Sequence, residues 1–116
     1  LRSRLLHEAV SQRDEQQLRY LLVKGGDPLH QDERGTRVIH SCAEWWQQGL
    51  EIVLEHLKQR DDDTYFENAL ASSDSEDRTP LHCAAANYEF GSVEALLAAG
   101  SKPNLRDQHG FSPLAL

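Results

Sequence analysis

The sequence has no apolar run approaching the roughly 18 residues that a membrane-crossing helix requires. It also lacks a charged-then-apolar N-terminal stretch of secretory type. Cysteine is scarce: Cys42 and Cys83 are the only two, and both sit in helical patterns rather than in a disulfide framework. Such usage points to a reducing compartment, cytoplasmic or nuclear. Neither is there a stripe of basic residues of the kind duplex nucleic acid demands, so nucleic acid is not the expected partner. From Asp61 to Asp77 lysine and arginine are missing altogether, while seven of the 19 acidic residues fall there. The other 12 acids are balanced by the 12 Lys and Arg, so the net charge of −7 belongs to one segment. With 116 residues and 39% hydrophobic content, the chain is of single-domain length and holds a modest core. It starts at Leu1, without a methionine.

What is present is a repeat. Thr79-Pro80-Leu81-His82-Cys83-Ala84-Ala85 has a degenerate copy, Ser112-Pro113-Leu114-Ala115-Leu116, 33 residues on. His82 has counterparts in His40, 42 residues earlier, and in His7, a further 33 back. Asp32, Asp74 and Asp107 each precede the same repeat position by eight residues, and Gly35, Asp77 and Gly110 by five. A second helical stripe follows each start: Leu18, Leu21, Leu22 closing at Gly25, and Val93, Leu96, Leu97 closing at Gly100. In the middle unit Leu50, Val53, Leu54 and Leu57 come one residue early, with no closing glycine.

These residues resemble the ankyrin repeat, with its Thr-Pro-Leu-His-x-Ala-Ala start, Leu-Leu helix, glycine and Asp-x-x-Gly turn. The resemblance implies an all-α solenoid of stacked helix-turn-helix units with hairpin-like loops. We expect repeats at about 3–35, 36–77, 78–110 and the start of another at 111–116, all within one domain over 1–116. Physics agrees: a unit of two helices, each with one apolar stripe, must stack on neighbours to bury both. Pro80 and Pro113 suit first helical turns, where a missing N–H costs nothing. Phe111, Pro113, Leu114 and Leu116 would leave an uncapped end, so the natural protein is expected to continue.

The chemistry-bearing residues have structural explanations. His7, His40 and His82 share the position at which the family ties loop backbone between units. Units about 10 Å apart cannot bring three such imidazoles onto one ion. His30, His56 and His109 lack Cys or His partners at ligand spacing, and Cys42 and Cys83 take the place of small buried residues. No metal, cofactor or catalytic residue is therefore expected, and the chain does not look like an enzyme. Gly25-Gly26-Asp27 is a helix stop, because no Gly-Lys phosphate-loop pattern follows. Asp32, Asp74 and Asp107 are turn residues, whose carboxylates bond nearby backbone N–H groups.

The resemblance places the partner along the hairpin tips and the exposed side of the first helices. The matching tip positions are Glu33, Arg34, Ser75, Glu76, Gln108 and His109, with Thr36, Arg78 and Phe111 just past them. The helix-end positions are Ser11 and Gln12, Glu44 and Trp45, Ala86 and Asn87. Two readings of Trp45 stand: a ring held ready for a partner, or one folded back onto its own helices. Trp46 replaces the usual turn glycine and is expected to pack internally.

Near 61–77 the middle unit carries an insertion. The helix Leu50–Arg60 should stop at three aspartates, unfavourable at the negative end of a helix dipole. Thr64 and Glu67 have capping-box spacing, so Tyr65–Ala71 reads as a short helix docked by Phe66 and Leu70. An acidic tip follows, serving either a basic partner or solubility alone.

The leading expectation is a protein–protein interaction module: scaffold, adaptor or inhibitor. A regulatory ankyrin domain of a larger enzyme or channel is the alternative. A third reading is a small-ligand site at Trp45. The acidic, elongated unit is similar to inhibitors of the NF-κB type, which mask a basic segment, although this chain has no acidic tail.

Overall fold

The structure, a computed structural model, describes residues 2–113. Leu114 and Leu116, expected in the last partial unit, lie outside them. Seven helices are described: α1 (Arg2–Gln12), α2 (Glu15–Val23), α3 (Val38–Trp45), α4 (Gln47–Lys58), α5 (Asp63–Leu70), α6 (Pro80–Ala86) and α7 (Phe90–Ala99). Among the described residues extended pairing is limited to one isolated bridge, Gln31 with Arg37.

The helices pair as α1/α2, α3/α4 and α6/α7, and the pairs stack in two rows. In one row α3 packs with both α1 and α6; in the other α4 packs with both α2 and α7. Each helix contributes one apolar face: Leu6, Ala9 and Val10 from α1, Leu18, Leu21 and Leu22 from α2, Leu50, Val53, Leu54 and Leu57 from α4. These i, i+3, i+4 sets merge into one core. Leu6, Leu18, Leu50, Leu81 and Leu96 are fully buried, each stabilising the fold by about 1.5–3 kcal/mol.

Starts and stops follow local chemistry. Asp14 caps α2 by accepting the Gln17 N–H at 3.1 Å. Thr79 and His82 cap α6 reciprocally, with Pro80 in the first turn. Gly100 ends α7 in the left-handed conformation.

The middle pair departs from expectation in three places. The second helix starts at Gln47 and ends at Lys58, two residues short of the expected Arg60. Only Trp46 separates it from α3, and its extended backbone (φ −150°) turns the ring inward. The ring lies on Gly49, where a Cβ would collide with it. This single-residue turn explains the early apolar stripe. Third, α5 runs from Asp63 to Leu70 and is capped by Asp62, which accepts the Tyr65 N–H at 3.1 Å. The expected Thr64 cap loses to an aspartate two residues earlier, a good cap whose charge also favours a helix N-terminus. Ala69 and Leu70 are buried and dock α5, with Tyr65 and Phe66 half-buried beside them. The Arg60 guanidinium lies 4.1 Å from the Tyr65 ring centroid.

Candidate partner-binding surface

Three hairpin turns precede or follow the first-row helices, and each is built around one aspartate. Asp32 Oδ1 accepts the N–H groups of Arg34 (2.9 Å) and Thr36 (3.0 Å). Asp74 Oδ1 holds Glu76 (2.8 Å) and Arg78 (3.0 Å) in the same way, and Asp107 Oδ1 holds His109 (2.9 Å) and Phe111 (3.0 Å). In each turn the aspartate N–H also bonds the carbonyl four residues on. The turns then join one another: Ser75 Oγ donates to the Arg34 carbonyl at 3.1 Å, and the Gln108 N–H to the Glu76 carbonyl at 3.1 Å. Glu33, Arg34, Ser75, Glu76, Gln108 and His109 thus form a connected, exposed row.

Histidines brace the turns from behind. His40 Nε2 donates to the Arg78 carbonyl at 2.7 Å, and His82 Nε2 to the Phe111 carbonyl at 2.8 Å. Burial pushes His40 down to about 4, so it is neutral near pH 7. Arg78, a tip candidate, is half-buried and pairs with Asp74 (3.0 Å) and Glu76 (3.1 Å), while its carbonyl serves His40. Burial opposes the Asp74 carboxylate, but the Arg78 and Glu76 N–H groups and the guanidinium outweigh it and hold the group below its ordinary range. Asp74 is therefore a buried member of the turn and contributes little free charge to the acidic tip.

At the far end of α3, Trp45 is 54% exposed although neighbours stand on both sides of it. The backbone beneath it is clamped twice. Arg13 Nη2 donates to the Trp45 carbonyl at 2.8 Å, and Asn87 Nδ2 to the Glu44 carbonyl at 2.9 Å. Glu44 is half-buried beside it, and burial raises its carboxyl against the pull of Arg78. Asn87 spends its amide as a brace, Thr36 is half-buried in its turn, and Phe111 is 57% exposed.

Between the tip row and Trp45 run two clefts. One of about 660 Å³ lies among Arg4, His7, His30, Asp32, Glu33 and Arg34. The other, about 380 Å³, includes Val10, Ser11, Arg13, Ser41 and Trp45, and both share His7 and Asp32. Burial pushes His7 down, against the opposing influence of Asp32 and of its bond to the His30 carbonyl. Arg13 and His30 are absent from the sequence-derived set. Arg13 could have been found, since it holds the turn position that Trp46 and Tyr88 hold in the other pairs. The buried thiols of Cys42 and Cys83 are pushed up to about 12, so neither is a thiolate nucleophile at neutral pH.

Helix pairs stacked in two rows, joined by aspartate-centred hairpins and tied by histidines, define a helical repeat solenoid. A family model described as ankyrin repeats, in three copies, matches residues 6–114, and the chain belongs to the ankyrin-repeat family. Repeats of this family are generally protein–protein interaction modules and typically non-enzymatic. Among the described residues no helix is long and apolar enough to cross a membrane.

Proposed function

We propose that this chain holds a partner protein along the face running from the hairpin row to Trp45, and does not transform it. The observation that carries the reading is Trp45, a large ring left half in water while its backbone is fixed by Arg13 and Asn87. A rigid, exposed aromatic loses little conformational entropy on contact and gains area when a partner covers it. The partner contributes a basic segment, drawn by Glu76, Asp77 and the aspartates at 61–63, in the manner of an inhibitor that masks such a segment. Glu33, Arg34, Thr36, Glu44, Ser75, Arg78, Asn87, Gln108, His109 and Phe111 complete the face, with Arg78 and Asn87 acting as braces. The working division is three units, about 3–35, 36–77 and 78–110, followed by a partial unit at 111–116. Free buried cysteines suit a cytoplasmic or nuclear setting.

The test is affinity capture with the chain as bait, followed by isothermal titration of the captured partner against the Trp45→Ala variant. A partner that survives both Trp45→Ala and charge reversal at the second tip with unchanged affinity would overturn the proposal.

A further inference from the structure

The first histidine breaks the pattern of the other two. The Arg78 and Phe111 carbonyls each accept two bonds, one from the turn aspartate N–H and one from His40 or His82. The corresponding carbonyl of the first hairpin belongs to Thr36 and accepts the Asp32 N–H at 2.9 Å. His7 Nε2 instead lies 3.0 Å from the His30 carbonyl and 3.2 Å from His30 Nδ1, with the rings edge-to-face at 5.3 Å. The register positions matching His30 are Ser72 and Leu105, so only the first hairpin carries an imidazole there.

We propose that the His7–His30 pair is an acid-sensitive latch on the first hairpin and on the cleft between that hairpin and Trp45. The geometry accommodates one extra proton but not two. In the neutral pair the Nε2–H of His7 donates to both the His30 carbonyl and the Nδ1 lone pair. With one added proton on His30, its Nδ1–H donates to a bare Nε2 of His7, and the carbonyl loses its donor. A second proton leaves two N–H donors and two positive charges facing each other across 3.2 Å, and the pair must part. His7 then has the Thr36 carbonyl open to it, the acceptor type that His40 and His82 already use.

The groups around the pair tune the latch. Asp32 and Glu33 favour the protonated forms, while Arg4, Arg34 and, across the second cleft, Arg13 oppose them. Burial of His7 also opposes its protonation. Because His7 and Asp32 wall both clefts, release reshapes the surface between the first tip and Trp45. The consequence for partner binding rests on the function proposed above; the latch itself does not.

The experiment therefore uses the chain alone. Backbone amides of Glu33, Arg34 and Thr36 and the imidazole nitrogens are followed by NMR from about pH 7.5 to 4.5, reaching below the ordinary histidine range because burial holds His7 down. In the unaltered chain these amides shift together with the His7 and His30 nitrogens. His30→Asn keeps an acceptor but cannot take up a proton, and its tip amides should stay at their neutral positions throughout. His30→Leu loses the Nδ1 acceptor and the second proton site but keeps the backbone carbonyl of residue 30 as an acceptor for His7, so its tip amides should also stay at their neutral positions throughout. Tip amides that titrate in either variant as they do in the unaltered chain would overturn the latch. Loss of partner binding at every pH with the NMR response intact would count against the proposed function alone.

Discussion

The His40 imidazole is bonded on one side only: Nε2 donates to the Arg78 carbonyl at 2.7 Å, and Nδ1 is buried without a partner. Its counterpart His82 uses both nitrogens, because Thr79 supplies a hydroxyl at 2.9 Å and an N–H at 3.1 Å to Nδ1. In the middle pair Arg37 stands where Thr79 stands and has no such hydroxyl. Its guanidinium ties the Leu29 and Ser73 carbonyls instead, both at 2.8 Å. A helix cap has been exchanged for a bridge between loops.

This arrangement makes the domain acid-sensitive. His40 is pushed down to about 4 in the fold, below its ordinary 6.5, so the unfolded chain binds the proton more readily. Stability is full above about pH 6.5 and falls as pH drops towards 4. The loss from this group is on the order of 3 kcal/mol. His7 and His56, also pushed down mainly by burial, act in the same direction. Urea unfolding at pH 7.5 and 4.5 measures the difference, and His40→Asn should flatten it. An equal slope in that variant would place the sensitivity elsewhere.

Replacing His82 with alanine removes its bond to Phe111 and the imidazole half of the α6 cap, both in a buried setting, while the backbone N–H of residue 82 still reaches Thr79 Oγ1. The expected loss is about 1.5–4 kcal/mol, since a buried hydrogen bond contributes about 1–3 and half a cap about 0.5–1. His7→Ala should cost less, because His7 is only half-buried. Thermal melts of the two variants give the order, and a chelator added to the unaltered chain should leave its melting temperature unchanged.

Two turn positions offer opposite outcomes. Asp77 has φ 59°, in the left-handed region occupied in the other turns by Gly35 and Gly110. Asp77→Gly should therefore stabilise the fold by about 0.5–1 kcal/mol. Gly35→Ala should destabilise it, both because φ is 81° and because a Cβ would come within 2.7 Å of Ser75 Cβ. Chemical denaturation of both variants tests the pair.

Much of this architecture was legible because the signals are local and recur. The aspartate eight residues before each repeat position and the apolar i, i+3, i+4 stripes each follow from one residue type doing one job. The early stripe at Leu50 already marked the shortened turn that places Trp46 inside. What remained hidden depends on competition or on distance. Asp62 beats Thr64 as a cap, and nothing in spacing ranks them. His7 turns to His30, 23 residues away, and not to the Thr36 carbonyl, the counterpart of the acceptors that His40 and His82 use. Asp74 looks like part of an acidic run and is instead enclosed by Arg78, a pairing that exists only once the hairpin forms.

That enclosure changes how the acidic tip should be probed. Reversing Asp74 would break the turn, so only Glu76 and Asp77, both exposed, are suitable. Changing both to lysine should slow association with a basic partner several-fold at low salt and weaken its salt dependence. Rim charges act mainly on encounter rate and steering. Stopped-flow association at two ionic strengths measures this, and an unchanged on-rate would leave the segment a solubility role.

The two tryptophans provide the sharpest contrast, since adjacent rings have opposite surroundings. Trp46 is 8% exposed, lies on Gly49 and joins the core, whereas Trp45 is 54% exposed and stands over a cleft of about 380 Å³. Trp46→Ala should cost about 3–5 kcal/mol of stability, as large core truncations do. Gly49→Ala should also destabilise, because the added methyl collides with the ring. Trp45→Ala removes a ring that water already reaches, so the melting temperature should barely move. If Trp45 anchors the partner, however, affinity should fall by at least about 2 kcal/mol, the mark of a hot-spot aromatic. Arg13→Ala should act in the same direction more weakly, by releasing the Trp45 carbonyl without removing the ring. Calorimetric melts and titrations on the same four variants separate the cases. Unfolding by Trp45→Ala, with the surviving folded fraction binding at full strength, would make Trp45 a packing residue and remove the helix-end part of the proposed face.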